Sequence, residues 1–248
     1  MTVTEGALLA AAAVGAGIVN AIAGGGTLLT FPALLSIGYS PVEANATNTL
    51  ALWPGQLSSA FAYSRHLGEQ RRLAISLAVP SVIGGVVGSQ LVLRLSEHSF
   101  EVVVPWLILV ACLLLAGQNL IKRALSGVKG IDHPATLWLV QLGVGIYGGY
   151  FGAAMGIMMM AAMGVLLPSS QQHANALKVL FSFLINGAAA FCFLGSGKVA
   201  LVAAVVMAVA NTLGGFVGAR LAQRLAPGAM RGVAIAVGLY AAVRIWLR

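Results

Sequence analysis

Gly84-Gly85-Val86-Val87-Gly88 lies inside an apolar run from Leu73 to Leu93. It returns as Gly214-Gly215-Phe216-Val217-Gly218 inside a second run from Val199 to Leu221. The offset is 130 residues, and the same offset carries Ala44-Asn45-Ala46 onto Ala174-Asn175-Ala176. It also carries Leu91, Arg94 and Leu95 onto Leu221, Arg224 and Leu225, and Gly15, Ala23 and Gly26 onto Gly145, Ala153 and Gly156. Since one offset covers every match, no net gap separates the copies. Apolar runs of roughly 20 residues are long enough to span a bilayer as helices. Many secondary transporters are built from two copies of a polytopic unit, with the substrate between the copies near the midplane.

Composition agrees with a membrane location. Of 248 residues, 59% are hydrophobic and 8% charged, with mean hydropathy +0.94. A soluble domain carries about 25% charged residues, so this chain lacks the polar surface to face water all round. The short alternating segments of an outer-membrane barrel are missing from the sequence. The net charge of +8 comes largely from basic residues beside apolar runs, where they orient helices, and implies no nucleic-acid partner. Cys112 and Cys192 lie inside apolar runs and read as packing residues. Ala21-Ile22-Ala23 looks like a signal-peptidase site, but Glu5 precedes it with no Lys or Arg, and the segment has a repeat partner, so it belongs to the fold.

The expected fold is all-α integral membrane: about eight long hydrophobic helices plus glycine-broken half-helices, in two homologous four-segment repeats. The first repeat covers 1–121, a connecting loop 122–134 and the second repeat 135–248. In the first, an apolar segment Gly6–Ile22 breaks at Gly24-Gly25-Gly26, a short stretch Thr27–Ile37 follows, and long segments cover Val42–Tyr63, Leu73–Leu93 and Phe100–Ile121. The second gives Thr136–Gly152, a break at Ala153–Gly156, a short stretch Ile157–Leu167, then Gln172–Phe193, Val199–Leu221 and Met230–Leu247. Thr27–Ile37 spans only about 16 Å as a helix, so its N-terminus lies at depth. Free amides and the helix dipole there suit an anion. Glycine-rich faces such as Gly84-x-x-x-Gly88 are expected to pack helices closely, and they permit a homodimer.

Loop charge leaves two topologies open. Arg65, Arg71, Arg72, Lys122, Arg123 and Lys129 are expected to be cytoplasmic in both. If the first segment of each repeat crosses fully, the repeats are parallel, and Lys198, Arg244 and Arg248 join the inside set. If each first segment is a re-entrant hairpin, the repeats are inverted, and Arg220, Arg224 and Arg231 join instead. Either way nine basic residues lie inside and four outside.

Polar residues in hydrocarbon are costly and mark function. Asn45, Asn48 and Thr49 are spaced i, i+3, i+4 and share a helix face; Gln56 and Ser59 extend the stripe. In the second repeat Asn175 and Lys178 follow Ser169-Ser170-Gln171-Gln172-His173, with Lys178 at the position of Asn48, His173 at that of Glu43 and Asn186 at that of Gln56. Neutral donors and acceptors with one intramembrane cation suit a small oxyanion. The candidate substrate-binding residues are Gly25, Gly26, Thr27, Asn45, Asn48, Thr49, Gln56, Asn175, Lys178 and Asn186. Glu43 and His173 are candidates for a proton-responsive pair flanking the pathway. His residues at 66, 98, 133 and 173 show no metal-ligand spacing, Gly24-Gly25-Gly26 lacks the Lys-Ser/Thr of a phosphate loop, and no serine elbow is present. No enzymatic activity, catalytic residue, metal or cofactor is expected.

Gly24-Gly25-Gly26-Thr27-Leu28-Leu29-Thr30-Phe31-Pro32, followed by Pro41-x-x-Ala44-x-Ala46-Thr47-Asn48, resembles the TauE/SafE family of sulfite-exporter-like membrane proteins. The duplicated organisation is similar over nearly the whole chain. The second copy departs from the pattern: Ala154 and Met155 stand for Gly24 and Gly25, and Ala162 for Pro32. The resemblance implies a multi-pass protein of the cell (inner) membrane that transports sulfite, sulfonates or sulfo-carboxylates, its partners being a small anion and membrane lipid. An inside-negative potential expels a monoanion with about 2.3 kcal/mol per 100 mV, which favours export. Two other functions fit the same residues: a gated anion channel and a non-transporting membrane scaffold subunit.

Overall fold

The computed structural model describes residues 1–22, 25–62, 68, 71–125, 134–166, 171–221 and 227–247. Ten helices carry the described chain: α1 Val3–Ile22, α2 Thr27–Ser36, α3 Pro41–Ala62, α4 Arg71–Arg94, α5 Glu97–Leu125, α6 Pro134–Tyr150, α7 Met155–Leu166, α8 Gln171–Ser196, α9 Leu201–Leu221 and α10 Pro227–Trp246. Five are long and apolar enough to cross a membrane. The protein is an all-α membrane protein. α3 is less apolar because it turns Asn45, Thr47, Asn48 and Thr49 inward, all of them buried. Ile75, Val79 and Val86 on α4 and Val205, Val209 and Leu213 on α9 point outward, as lipid-facing side chains do.

Two contacts show which helix ends lie together. Lys198 Nζ, between α8 and α9, is 3.0 Å from Glu97 Oε1 at the start of α5. The adjacent Ala200 amide donates to Thr47 Oγ1 near the start of α3 at 3.0 Å. The starts of α3, α5 and α9 therefore share one end of the bundle with the end of α8. The parallel arrangement would place Arg94 and Lys198 at opposite ends, and the Glu97–Lys198 pair is incompatible with it. The exposed Lys198 ammonium is held above its ordinary range by the hydrogen bond and charge of Glu97.

α6 runs alongside α4 in the same direction. Trp138 Nε1 donates to Ser76 O at 3.1 Å and Gln141 Nε2 to Ser81 Oγ at 2.8 Å. Further along, Gly84 meets Gly145 and Gly88 meets Gly149 and Tyr150. α7 then turns back along the bundle, so α6 and α7 form a helical hairpin. α1 packs along α9 in the corresponding way, and α2 returns to the start of α3. The glycine faces are backbone contacts: a Cβ on Gly84 would lie 2.7 Å from the Gly145 backbone. One on Gly88 would run into Ile146 O, and one on Gly214 into Val14 O. Close approach of this kind favours helix association where the hydrophobic effect offers none.

Two boundaries differ from expectation. α5 continues to Leu125 and α6 starts at Pro134, a residue suited to the first helical position, so both ends of the expected 122–134 connection are helical, and 126–133 lie outside the described residues. The short stretch after each break is a helix of its own, α2 and α7, as expected of a half-helix. The second break falls at Phe151–Ala154 instead of Ala153–Gly156, since Gly152 (φ 74°) and Ala154 (φ 59°) make the turn. A left-handed conformation costs a non-glycine residue about 1–2 kcal/mol. Ala154→Gly is therefore expected to stabilise the protein by about 1 kcal/mol, read as a higher melting temperature in detergent. A lower one would show that Ala154 Cβ packing outweighs the strain.

Candidate functional site

Both helix breaks face one cavity of about 200 Å³ between the two halves. α3 lines it from Asn48 to Gln56 and α8 from Lys178 to Asn186. These two antiparallel stretches begin about 10 Å from opposite ends of the bundle, at 1.5 Å per residue, so they overlap in a central slab. Asn20, Gly25 and Thr27 contribute from the first break, Gly152, Ala154 and Gly156 from the second, and Asn211 and Thr212 from α9.

The stem of Lys178 lies over Gly156, where a Cβ would come within 3.3 Å of Lys178 Cδ. This glycine provides the room for the lysine to run along the first turn of α7. Asn48 is almost fully buried, and Thr30 Oγ1 donates to its Oδ1. The group Asn48 presents to a ligand is thus its Nδ2 donor. Thr49 Oγ1 donates to Asn45 O at 2.9 Å. Thr27, Gln56 and Asn186 also line the cavity.

Other expected site residues do different jobs. Asn45 does not line the cavity. It is fully buried, and its Nδ2 donates to Tyr150 O at the end of α6 at 2.9 Å, tying the two halves together one turn from Asn48. Gly25 lines the cavity and Gly26 does not, but the amides of both already donate to Asn20 Oδ1, at 3.2 and 2.8 Å. Leu28 and Leu29 amides bond back to Gly25 O and Gly26 O. The expected set of free half-helix amides is therefore largely engaged, because Asn20 acts as the cap. Asn175 sits on α8, and its side chain lies outside the described residues.

Glu43 and His173 lie toward opposite ends of the bundle. Glu43 Oε2 accepts from the Ser40 amide while Ser40 Oγ accepts from the Glu43 amide, a reciprocal cap on α3. Glu43 belongs to the Lys198 end, where its charge reaches that lysine. His173 lies in the first turn of α8, about 35 Å of helix from the end of α8 at Ser196.

Sequence reasoning missed Asn20, Ser182, Asn211 and Thr212. Asn20 and Asn211 each carry a carboxamide inside a long apolar run, which is a costly placement and a usable signal. No group of three or more His, Cys, Asp or Glu is positioned to hold a metal ion among the described residues.

The family model described as Sulfite exporter TauE/SafE matches residues 9–245. The chain belongs to the TauE/SafE family. Family members similar to it include a probable membrane transporter protein YfcA of Escherichia coli K12, 32% identical over 215 residues, covering 85% of this chain and 76% of that protein. Another, from Haemophilus influenzae, also named a probable membrane transporter protein, is 30% identical over 216 residues, covering 83% and 80%. The ORF9 probable membrane transporter protein of a Sinorhizobium species is 27% identical over 239 residues, covering 96% and 91%. No solved structure matches the chain. TauE/SafE membership together with these relatives makes the chain a membrane transporter, and its cavity is the place to look for the substrate.

Proposed function

We propose that this protein is a secondary transporter that moves a small organosulfur oxyanion (sulfite, a sulfonate or a sulfo-carboxylate) outward across the cytoplasmic membrane, driven by the membrane potential. The observation that carries this reading is the central cavity, where Lys178 from α8 and the Asn48 donor from α3 line one space of about 200 Å³. That volume accommodates a sulfite or a short sulfonate. Hydrogen bonds from a charged donor contribute about 1.5–3 kcal/mol each, so one lysine with several neutral donors is enough to hold a monoanion without trapping it.

The two halves act as homologous repeats of opposite orientation around this site, each supplying one broken segment and one polar helix. Asn45 and Tyr150 close the end of the site nearer Lys198. The end bearing Arg71, Arg72 and Arg123 is read as cytoplasmic, as basic residues beside membrane helices favour that side. In this reading the substrate moves with the potential alone, without a coupled cation. The test uses proteoliposomes loaded with sulfite or sulfoacetate at imposed potentials. An inside-negative potential is expected to speed saturable efflux. Accumulation against a gradient at zero potential, driven by a pH or Na⁺ gradient, would contradict uncoupled export.

A further inference from the structure

The cavity has a second pole of opposite character. Asn211 is 4% exposed and lines the cavity, and its Oδ1 has no hydrogen-bond partner. Gln56 lines the same space, and its buried Oε1 is also unpartnered. An unsatisfied buried carbonyl costs about 1–3 kcal/mol, and such groups call for a ligand or water. Two of them in one cavity form an acceptor pair. Asn211 comes from α9 and Gln56 from α3, with Nδ2 of Asn211 lying against Gly55.

The matching region of the other half serves as an internal control. By the 130-residue offset Asn211 corresponds to Ser81, Gly55 to Ile185 and Gly17 to Tyr147. There the polar groups are satisfied. Ser81 Oγ donates to Leu77 O at 2.6 Å and accepts from Gln141 Nε2, and Tyr147 donates to Ala153 O at 2.6 Å. Ile185 is fully buried and fills the space. On the Asn211 side, glycines stand where the other half has Tyr147 and Ile185, and the carbonyls are unpaired. A Cβ at Gly17 would run into Asn211 O and one at Gly55 into Asn211 Nδ2, so these glycines let α9 pack close and hold Asn211 against the cavity, where the unpaired acceptors lie on this side.

We infer that Asn211 and Gln56 form an acceptor subsite for an N–H or O–H donor carried by the substrate itself, so that the substrate is bipolar, with an oxyanion toward Lys178 and an ammonium or hydroxyl toward Asn211. The inference rests on the cavity being the substrate site and narrows the substrate class to sulfonates that carry such a donor; a hydroxy-alkanesulfonate keeps the net charge on which the membrane potential acts, whereas an amino-alkanesulfonate is a net-neutral zwitterion that the potential does not drive. A sulfonate of the same length without the donor leaves both carbonyls unpaired, and the affinity difference is set there.

The test measures ligand-induced thermal stabilisation of the full-length protein in detergent, independently of transport. Probes are 2-aminoethanesulfonate, 2-hydroxyethanesulfonate and ethanesulfonate, each in choline and in sodium medium. The two donor-bearing probes are expected to bind at least tenfold more tightly than ethanesulfonate. Asn211→Leu is expected to remove that preference while leaving ethanesulfonate binding in place, and Asn211→Asp to raise the preference for the amine. Equal binding of all three probes would overturn the inference. So would a sodium-dependent shift that is abolished by Asn211→Leu and is the same with every probe, since an ion would then fill the subsite. If no sulfonate binds to the wild type, the oxyanion reading of the cavity fails with it. Binding without flux would instead leave the subsite in place and count against the proposed transport alone.

Discussion

Gly88→Val and Gly214→Val are each expected to abolish recovery of folded, monodisperse protein. A Cβ at Gly88 enters the space of Ile146 O and the Tyr150 amide, and one at Gly214 enters that of Val14 O. These obstacles are backbone atoms of a packed partner helix and cannot rotate away. Overpacking commonly costs about 1–3 kcal/mol where side chains can adjust. Here α4 would have to part from α6, or α1 from α9, and the loss is expected to exceed about 3 kcal/mol. Gly143→Ala and Gly232→Ala supply the contrast. No atom lies within 4 Å of a Cβ at either position, and replacing a helical glycine by alanine gains up to about 1 kcal/mol. Size-exclusion profiles and melting curves of the four variants check this. Well-folded Gly88→Val protein would show that α4 and α6 do not pack as described.

Lys178→Ala is expected to lower anion affinity by about ten- to a hundredfold, since the charged donor contributes about 1.5–3 kcal/mol and 1.4 kcal/mol is a factor of ten. The variant should fold, because alanine suits a helix interior and Lys178 lines the cavity rather than the buried core. Lys178→Arg keeps the charge on a bulkier, planar head and should retain part of the binding. A variant with alanine that bound anion as tightly as the wild type would place the lysine outside the binding event.

Much of this architecture was legible in the sequence, because the bilayer permits few alternatives. The apolar runs gave the helices, the 130-residue offset gave the matching parts, and Thr27–Ile37 was short enough to be read as a half-helix. Orientation was not legible. Loop charge balances equally in both topologies, and the meetings of Glu97 with Lys198 and of Thr47 with Ala200 distinguish them. The second break was misplaced because alanine at 154 hides a left-handed residue, a conformation usually assigned to glycine.

The cavity lining was legible where polar residues cluster. Asn48, Thr49 and Gln56 share a face on α3, and Lys178 is a cation within a hydrophobic run. Asn45 was read as part of the same stripe, but one turn of helix places it against Tyr150 O. Asn20 and Asn211 were overlooked because each is isolated in its own run, and their relevance comes from three helices meeting around the cavity. Asn20 also explains why the half-helix amides are engaged, which spacing along the chain could not indicate.

The most direct test of an anion site between the two halves is labelled sulfite flux through proteoliposomes at imposed potentials, comparing wild type with Lys178→Ala on α8 and Asn48→Ala on α3. Saturable, potential-driven flux that falls at least tenfold in both variants, with folding retained, is the predicted result. Flux unchanged by both substitutions would contradict it and place the pathway elsewhere.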